Sequence, residues 1–272
     1  MPNAKDAIGE ATAFKRILVV GKTGSGKSAQ IWSLPGKKFA YIFDPNTMAT
    51  LQGSDVDYEA FYPDFLEMDA TLKGFNKGSK SDKLPQASKR EPNTYMKWVE
   101  DMNSKVEAGF FKNYQWIIFD SLTFLVKATM DRQLYINGRY GDIEELGDYR
   151  VVGSKLSDVF NSIVGLPINI YATGHLSTFQ DEKTKKIETQ LLLPGKARNM
   201  FPLMFTDIWL AFTEEGEKGA VQYNVRTIPD ARGLQDIRSS VKGLKAVEDV
   251  TISKFDEQSS RYGIGALLQR SR

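Results

Sequence analysis

Cysteine is absent from the 272 residues, which excludes disulfides, thiolate nucleophiles and cysteine-ligated zinc. There is one histidine, His175, so a histidine-rich metal centre is excluded as well. No stretch approaches the roughly 20 apolar residues that a membrane helix needs, and Met1 to Glu10 lacks the apolar run of a signal peptide. No membrane partner is therefore expected, and a cytoplasmic location is. Charge is nearly balanced at +2, so the net value demands no partner of either sign and only local clusters can speak to one. A hydrophobic fraction of 41% and a charged fraction of 26% are ordinary for a globular chain, with room for one large domain or two small ones.

The first half alternates strand and helix patterns. Residues 1–13 read as a flexible arm. Arg16 to Val20 is a β-branched run ending at Gly21, and a helix is expected from the following loop to about Leu34, where Pro35-Gly36 stops it. Phe39 to Phe43 is a second buried strand, closed by Asp44-Pro45-Asn46. From 72 to 93 the chain reads as a basic, mobile insertion. A helix should follow with Tyr95, Val99, Met102 and Val106 on its apolar face. Trp116 to Phe119 is a third strand, closed by Asp120-Ser121. A helix bearing Leu122, Leu125, Val126 and Met130 comes next, then a polar loop at 137–148. Another helix carries Val152, Leu156, Phe160 and Ile163, and a fourth strand, Ile168 to Ala172, leads into Thr173-Gly174-His175. Beyond it come strands in succession, at 187–193, 206–212 and 221–227. The pattern predicts an α/β fold: a mostly parallel central sheet with flanking helices, and antiparallel strands added in the C-terminal half. The main domain is placed at 14–230. An extension at 231–272 carries no readable role.

The motif G-x-x-x-x-G-K-[ST] is met by Gly21-Lys22-Thr23-Gly24-Ser25-Gly26-Lys27-Ser28. Glycines let the backbone wrap a phosphate while its N–H groups point at the anion. Lys27 should reach the β and γ phosphates and the Ser28 hydroxyl should ligate magnesium. A solvated glycine-rich turn is the alternative, but the motif's position between strand and helix favours nucleotide. Asp120, at the C-terminal end of a buried strand, is placed to hold the magnesium through water. His175 ends the fourth strand, where an imidazole can donate a hydrogen bond to the γ phosphate. ATP and Mg²⁺ are the expected ligands.

GKTGSGKS, FDPN, WIIFDSLT and ATGH together resemble the RecA-like P-loop ATPases. The match extends over about 14–230 and is nearest to the phage-encoded group associated with single-strand annealing, the Sak type. The stretch Leu193 to Arg198 is similar to that group too. The resemblance implies a RecA-like core and ATP hydrolysis stimulated by single-stranded DNA in recombination, annealing or repair. It also implies a host-cytoplasmic location, and partners that include other copies of the chain and single-strand-binding or other recombination proteins. It places one DNA-facing loop at 176–193, where Lys183, Lys185 and Lys186 can contact phosphates, and another at 137–148 with Arg139 and Tyr140. Lys196 and Arg198 fall where such assemblies place cations acting on a neighbour's nucleotide. Two departures stand out. The usual water-orienting glutamate is replaced by Asn46, which leaves Asp44 or the Asn46 amide to position water. The usual polymerisation motif, Phe followed two residues later by Ala, is missing from the arm. Two further readings follow: a nucleotide-operated switch or assembly factor with weak intrinsic hydrolysis, and, with least support, a small-molecule kinase.

Overall fold

β-branched and aromatic runs form the strands, and their alternate side chains are buried on opposite faces of one sheet. In β1 (Arg16–Gly21), Leu18 and Val20 join one apolar cluster while Ile17 and Val19 join the other. β2 (Lys38–Ile42) and β4 (Trp116–Asp120) divide in the same way, with Phe39, Tyr41, Ile117 and Phe119 on the first face and Ala40, Ile42, Trp116 and Ile118 on the second. Strands buried on both faces are the signature of a parallel sheet covered by two layers. The computed structural model describes residues 14–62, 91–180, 187–193, 197–216, 219–229 and 236–270.

The other strands are β3 (Asp57–Ala60), β5 (Asn169–Gln180), β6 (Ile187–Leu191), β7 (Asp207–Glu215), β8 (Val221–Arg226) and β9 (Val247–Asp249). Their order is β3-β2-β4-β5-β1-β7-β8-β9, with β6 paired to β5 alone. β3, β2, β4, β5, β1 and β7 run parallel; β8, β9 and β6 join antiparallel. The expected α/β architecture is therefore present, a mostly parallel sheet extended by antiparallel strands. β5 lies between the phosphate-loop strand and the strand that ends in Asp120. β1 is a topological switch point: β5, β4 and β2 lie to one side and β7 to the other. Ligands of open parallel sheets bind at the carboxyl ends of strands around such a point.

One face is covered by α2 (Thr94–Glu107), α3 (Leu122–Ile136) and α4 (Leu146–Val164), with Trp98, Leu125 and Phe160 in the shared cluster. On α2 the expected Tyr95 and Met102 are buried and Val99 is partly buried against the same cluster, whereas the expected Val106 is exposed and the fully buried Trp98 takes the centre of the face. The large indole wins that position because it reaches Tyr41, Phe43 and Phe119 across the sheet.

The second face is closed by three pieces. They are a 3-10 turn at Ala29–Ser33, the short α1 (Thr47–Leu51), and α6 (Gly263–Arg270) from the far end of the chain. Ile31 and Leu34 pack there with Leu51, Ile264 and Leu267. The C-terminal extension, from 236 onward, is thus core of the same fold. Its entry is held by buried Asp207, which accepts from the Ser240 N–H at 2.6 Å and from the hydroxyls of Ser239 and Ser240, each at 2.9 Å.

Two element expectations are corrected. The helix expected from the glycine loop to about Leu34 is confined to a 3-10 turn of five residues, Ala29–Ser33, with Leu34 as its C-cap. The tail bonds to the Gln30 and Ser33 side chains of this turn, and Leu34, the residue before Pro35, is held extended at φ −64°, ψ 130°. β5 does not stop at Ala172 but continues through Thr173-Gly174-His175 to Gln180. Pairing with β6 (Leu176 opposite Leu191, Ser177 opposite Gln190) carries the strand beyond the parallel sheet. β5 and β6 thus form an antiparallel pair within the expected loop region 176–193, while residues 181–186 lie outside the described residues, as do the arm at 1–13 and most of the basic insertion, 63–90.

Candidate nucleotide site

β1 delivers the glycine loop to the carboxyl edge of the sheet, and neighbouring strands explain its glycines. A Cβ on Gly21 would lie 2.4 Å from the carbonyl oxygen of Ala211 on β7. Gly26 has φ +81°, and a Cβ there would lie 2.6 Å from the Tyr223 ring on β8. From below, the buried Tyr171 hydroxyl on β5 donates to the Lys27 carbonyl at 2.8 Å. Burial raises the pKa of that phenol well above its ordinary value, so it stays a donor. None of these supports is visible in the motif itself. With only a 3-10 turn behind the loop, the anion cradle rests on loop N–H groups and Lys27 more than on the dipole of a long helix.

Lys27 is buried and folded back on its own loop. Its ammonium donates to the carbonyls of Gly21 at 3.0 Å and Lys22 at 2.8 Å, and to Ser25 Oγ at 3.3 Å. Desolvation lowers its pKa to about 8, against the opposing pull of Asp120 and Asp44. Ser25 is itself tied to the Lys22 carbonyl at 2.8 Å. Ser28 sits at the start of the 3-10 turn and makes no capping bond with its side chain. Lys22, Thr23 and Gly24 form the exposed rim of the loop.

Asp120 is almost completely buried, and threonine hydroxyls hold both its oxygens. Thr47 of α1 donates to Oδ2 at 2.7 Å and Thr173 of β5 donates to Oδ1. The carbonyl of Asp120 also accepts from the backbone N–H groups of Phe43 at 2.6 Å and Asp44 at 3.2 Å, which joins the ends of β2 and β4. The Asp120–Ser121 peptide is cis.

Asp44 turns its carboxylate onto its own loop, where Oδ1 accepts from the Asn46 backbone N–H at 2.9 Å and from the Asn46 amide at 3.1 Å. Its other oxygen lies 4.0 Å from His175 Nε2. His175 is fixed by its backbone N–H, which donates to Thr123 Oγ1 at 3.1 Å, and by an edge-on contact with Phe124. Burial, followed by the nearby Lys27 charge, lowers its pKa, so at neutral pH the ring is uncharged and carries one N–H donor.

These groups meet in one cavity of about 390 Å³, lined by Gly24, Gly26, Lys27, Ser28, Asp44, Asn46, Asp120 and His175. That is the size of an ordinary small-ligand site. Tyr223, Ile252 and Phe255 also line it; sequence reasoning missed all three, as it missed Thr47 and Thr173. Magnesium fits the donor set. Ser28 offers a hydroxyl and Asp120 a carboxylate, and this cation keeps water and phosphate oxygens as its remaining ligands. Among the described residues no group of three or more His, Cys, Asp or Glu could hold a metal by itself, so the ion would enter with the nucleotide.

The remaining sequence-predicted residues lie elsewhere. Arg139 packs on the start of α4, donating to buried Asp148 at 2.8 Å and to the Ile143 carbonyl at 2.7 Å, with Glu145 at 3.2 Å. Tyr140 stands edge-on to Tyr135. Arg198, in the short α5 (Ala197–Met200), donates to the Leu193 carbonyl at 3.2 Å and to Gln190 Oε1 at 2.5 Å. Lys183, Lys185, Lys186 and Lys196 are outside the described residues. Among the described residues no helix is long and apolar enough to cross a membrane.

A sequence model of the family described as "AAA domain" matches residues 13–229. No curated protein matches the chain. Among solved structures, a KaiC-like protein from Pyrococcus horikoshii OT3 is similar at 12% identity and a TM-score of 0.39, over 78% of this chain and 79% of that one. An ATPase from the type III secretion system of pathogenic bacteria is similar at 13% identity and a TM-score of 0.45; it covers 73% of this chain, which spans about half (51%) of it.

Proposed function

This chain belongs to the AAA domain family, and we propose that it is a magnesium-dependent, RecA-like ATPase of the phage single-strand-annealing type whose nucleotide state controls its hold on single-stranded DNA. The observation that carries the reading is the convergence of the phosphate loop, Asp120, Asp44 and His175 on one cavity. In this reading Lys27 leaves the carbonyls of Gly21 and Lys22 for the β and γ phosphate oxygens. Ser28 and Asp120 would hold a magnesium ion, which would supply charge neutralisation on the phosphates.

Asn46 lies on the cavity but is engaged with Asp44, and an amide cannot take a proton. We assign the water-orienting role to Asp44. Water adds to the γ phosphorus, the bond to the β–γ bridging oxygen breaks with its electron pair going to the diphosphate, and Asp44 accepts the water proton. His175 donates its N–H to a γ phosphate oxygen and so reports whether that phosphate is present.

The DNA part of the proposal is supported by β5. His175 lies on β5, which pairs with β6, and the lysine-bearing residues 181–186 lie between these strands in sequence, so contact between the imidazole and phosphate is coupled to the DNA-facing region through one strand. Fluorescence anisotropy with a labelled single strand tests this part. Affinity should change several-fold between ATP-analogue and ADP states and fall steeply as salt rises. Equal affinity in both states, or none, would remove DNA from the account.

A second reading, a nucleotide-operated switch, is favoured by the Asn46 amide where a glutamate is usual. Multiple-turnover hydrolysis with excess ATP separates the two: sustained turnover by the isolated protein rejects the switch.

A further inference from the structure

Half of the nucleotide cavity is explained by phosphate chemistry. Thr50, Ile252 and Phe255 carry no charge and none of that chemistry, yet they line the same space. Ile252 and Phe255 come from beyond residue 229, where the family match ends. We propose that this C-terminal segment is the base-binding wall of the nucleotide site, with the ring of Phe255 stacking on the base and Ile252 packing against its edge. The proposal rests on the phosphate-loop reading above and extends it to the rest of the ligand.

Three observations support it. First, the segment is held against the loop by bonds that bridge the whole chain. Gln30, buried two residues after Ser28, donates from Nε2 to the Val250 carbonyl at 2.8 Å and accepts the Ile264 N–H at 2.9 Å. Ser33 Oγ accepts the Gly265 N–H at 3.1 Å. Backbones touch there: a Cβ on Gly265 would lie 1.7 Å from the Ser33 carbonyl oxygen. The wall is therefore registered to the phosphate loop through the same turn. Second, Phe255 is 52% exposed although its ring is pinned edge-on to Trp32, with centroids 5.6 Å apart and planes at 79°. An aromatic ring fixed at its edge and open elsewhere on a ligand cavity offers a stacking surface. Third, the polar side chains that seat this wall are turned to the protein: Gln30 bonds as described, and Trp32 Nε1 donates to the Thr50 carbonyl at 2.9 Å. The face of the Phe255 ring is what the wall offers a base.

The test is isothermal titration of the full chain with magnesium–ATP and, separately, with magnesium–tripolyphosphate, which has the phosphates and no base. Stacking on an aromatic ring is worth about tenfold in affinity at such a half-open site. Phe255→Ala and Phe255→Leu should each weaken ATP about tenfold and leave tripolyphosphate within about twofold, while Phe255→Trp keeps ATP affinity near wild type. The leucine variant preserves apolar packing on Trp32, so its loss reads the ring and not the fold. Unchanged ATP affinity in both variants, or equal weakening of ATP and tripolyphosphate, overturns the proposal. If the wild-type chain binds neither ligand, the phosphate-loop reading falls and the base wall falls with it.

Discussion

In the proposed mechanism, hydrolysis turns on Asp44. Its carboxylate is 4.0 Å from His175 Nε2 and shares the cavity with Lys27. Removing a general base slows an enzyme by about 10² to 10⁴, so Asp44→Asn should cut the turnover number at least a hundredfold while ATP affinity stays within a few-fold. A rate that survives this change would move the role to Asn46 or to a partner. Lys27 makes a second prediction, in pH. Its pKa in the ligand-free fold is lowered to about 8 from 10.5. Below about pH 8 it is charged both folded and unfolded, and its burial cost is fully present. Between about pH 8 and 10.5 the unfolded chain keeps the proton that the fold has shed, so this group makes ligand-free stability rise with pH. Phosphate charge restores the proton. ATP binding at about pH 9 should therefore take up a proton, and affinity should fall as pH rises through 8. Calorimetry in two buffers of different ionisation enthalpy checks both, and binding at that pH with no proton uptake would contradict the assignment. The glycine loop and Asp120 were legible because their chemistry is local and their spacing fixed. Thr47, Thr173 and Tyr171 were not, since a lone threonine or tyrosine gains its meaning only from the strand packed beside it.

At the scale of elements, the strands were read from β-branched runs, and the parallel core followed from their alternation with helices. What escaped were features set by distant partners. The phosphate-loop turn is seated by Gln30 and Ser33 side chains that bond to residues more than 200 positions away, and no local periodicity records that. α6 and β9 are short, and the weak pattern of the tail hides that Ile264 and Leu267 close one face of the sheet. Gly265→Ala tests this docking. A methyl at 1.7 Å from a backbone oxygen cannot be accommodated by a rotamer change. Overpacking of this kind costs about 1–3 kcal/mol, which for a domain of this size is a drop in melting temperature of roughly 3–10 °C. Limited proteolysis should then cut the tail faster than in the wild type. A variant as stable and as resistant as the parent would show that the tail is not seated on the turn.

For the whole molecule, the cavity lies at the topological switch point of the sheet, and β5 runs from its floor to the hairpin proposed to meet DNA. Net charge of +2 gives little general attraction to a polyanion, so any hold on DNA must be local and weaken with salt. The most direct measurement is steady-state ATP hydrolysis with magnesium, with and without single-stranded DNA, for the wild-type chain and Lys27→Ala. The account predicts turnover by the wild type that rises several-fold with DNA, and none above background in Lys27→Ala under either condition. Equal rates in the two proteins, or a wild-type rate indifferent to DNA, would contradict it.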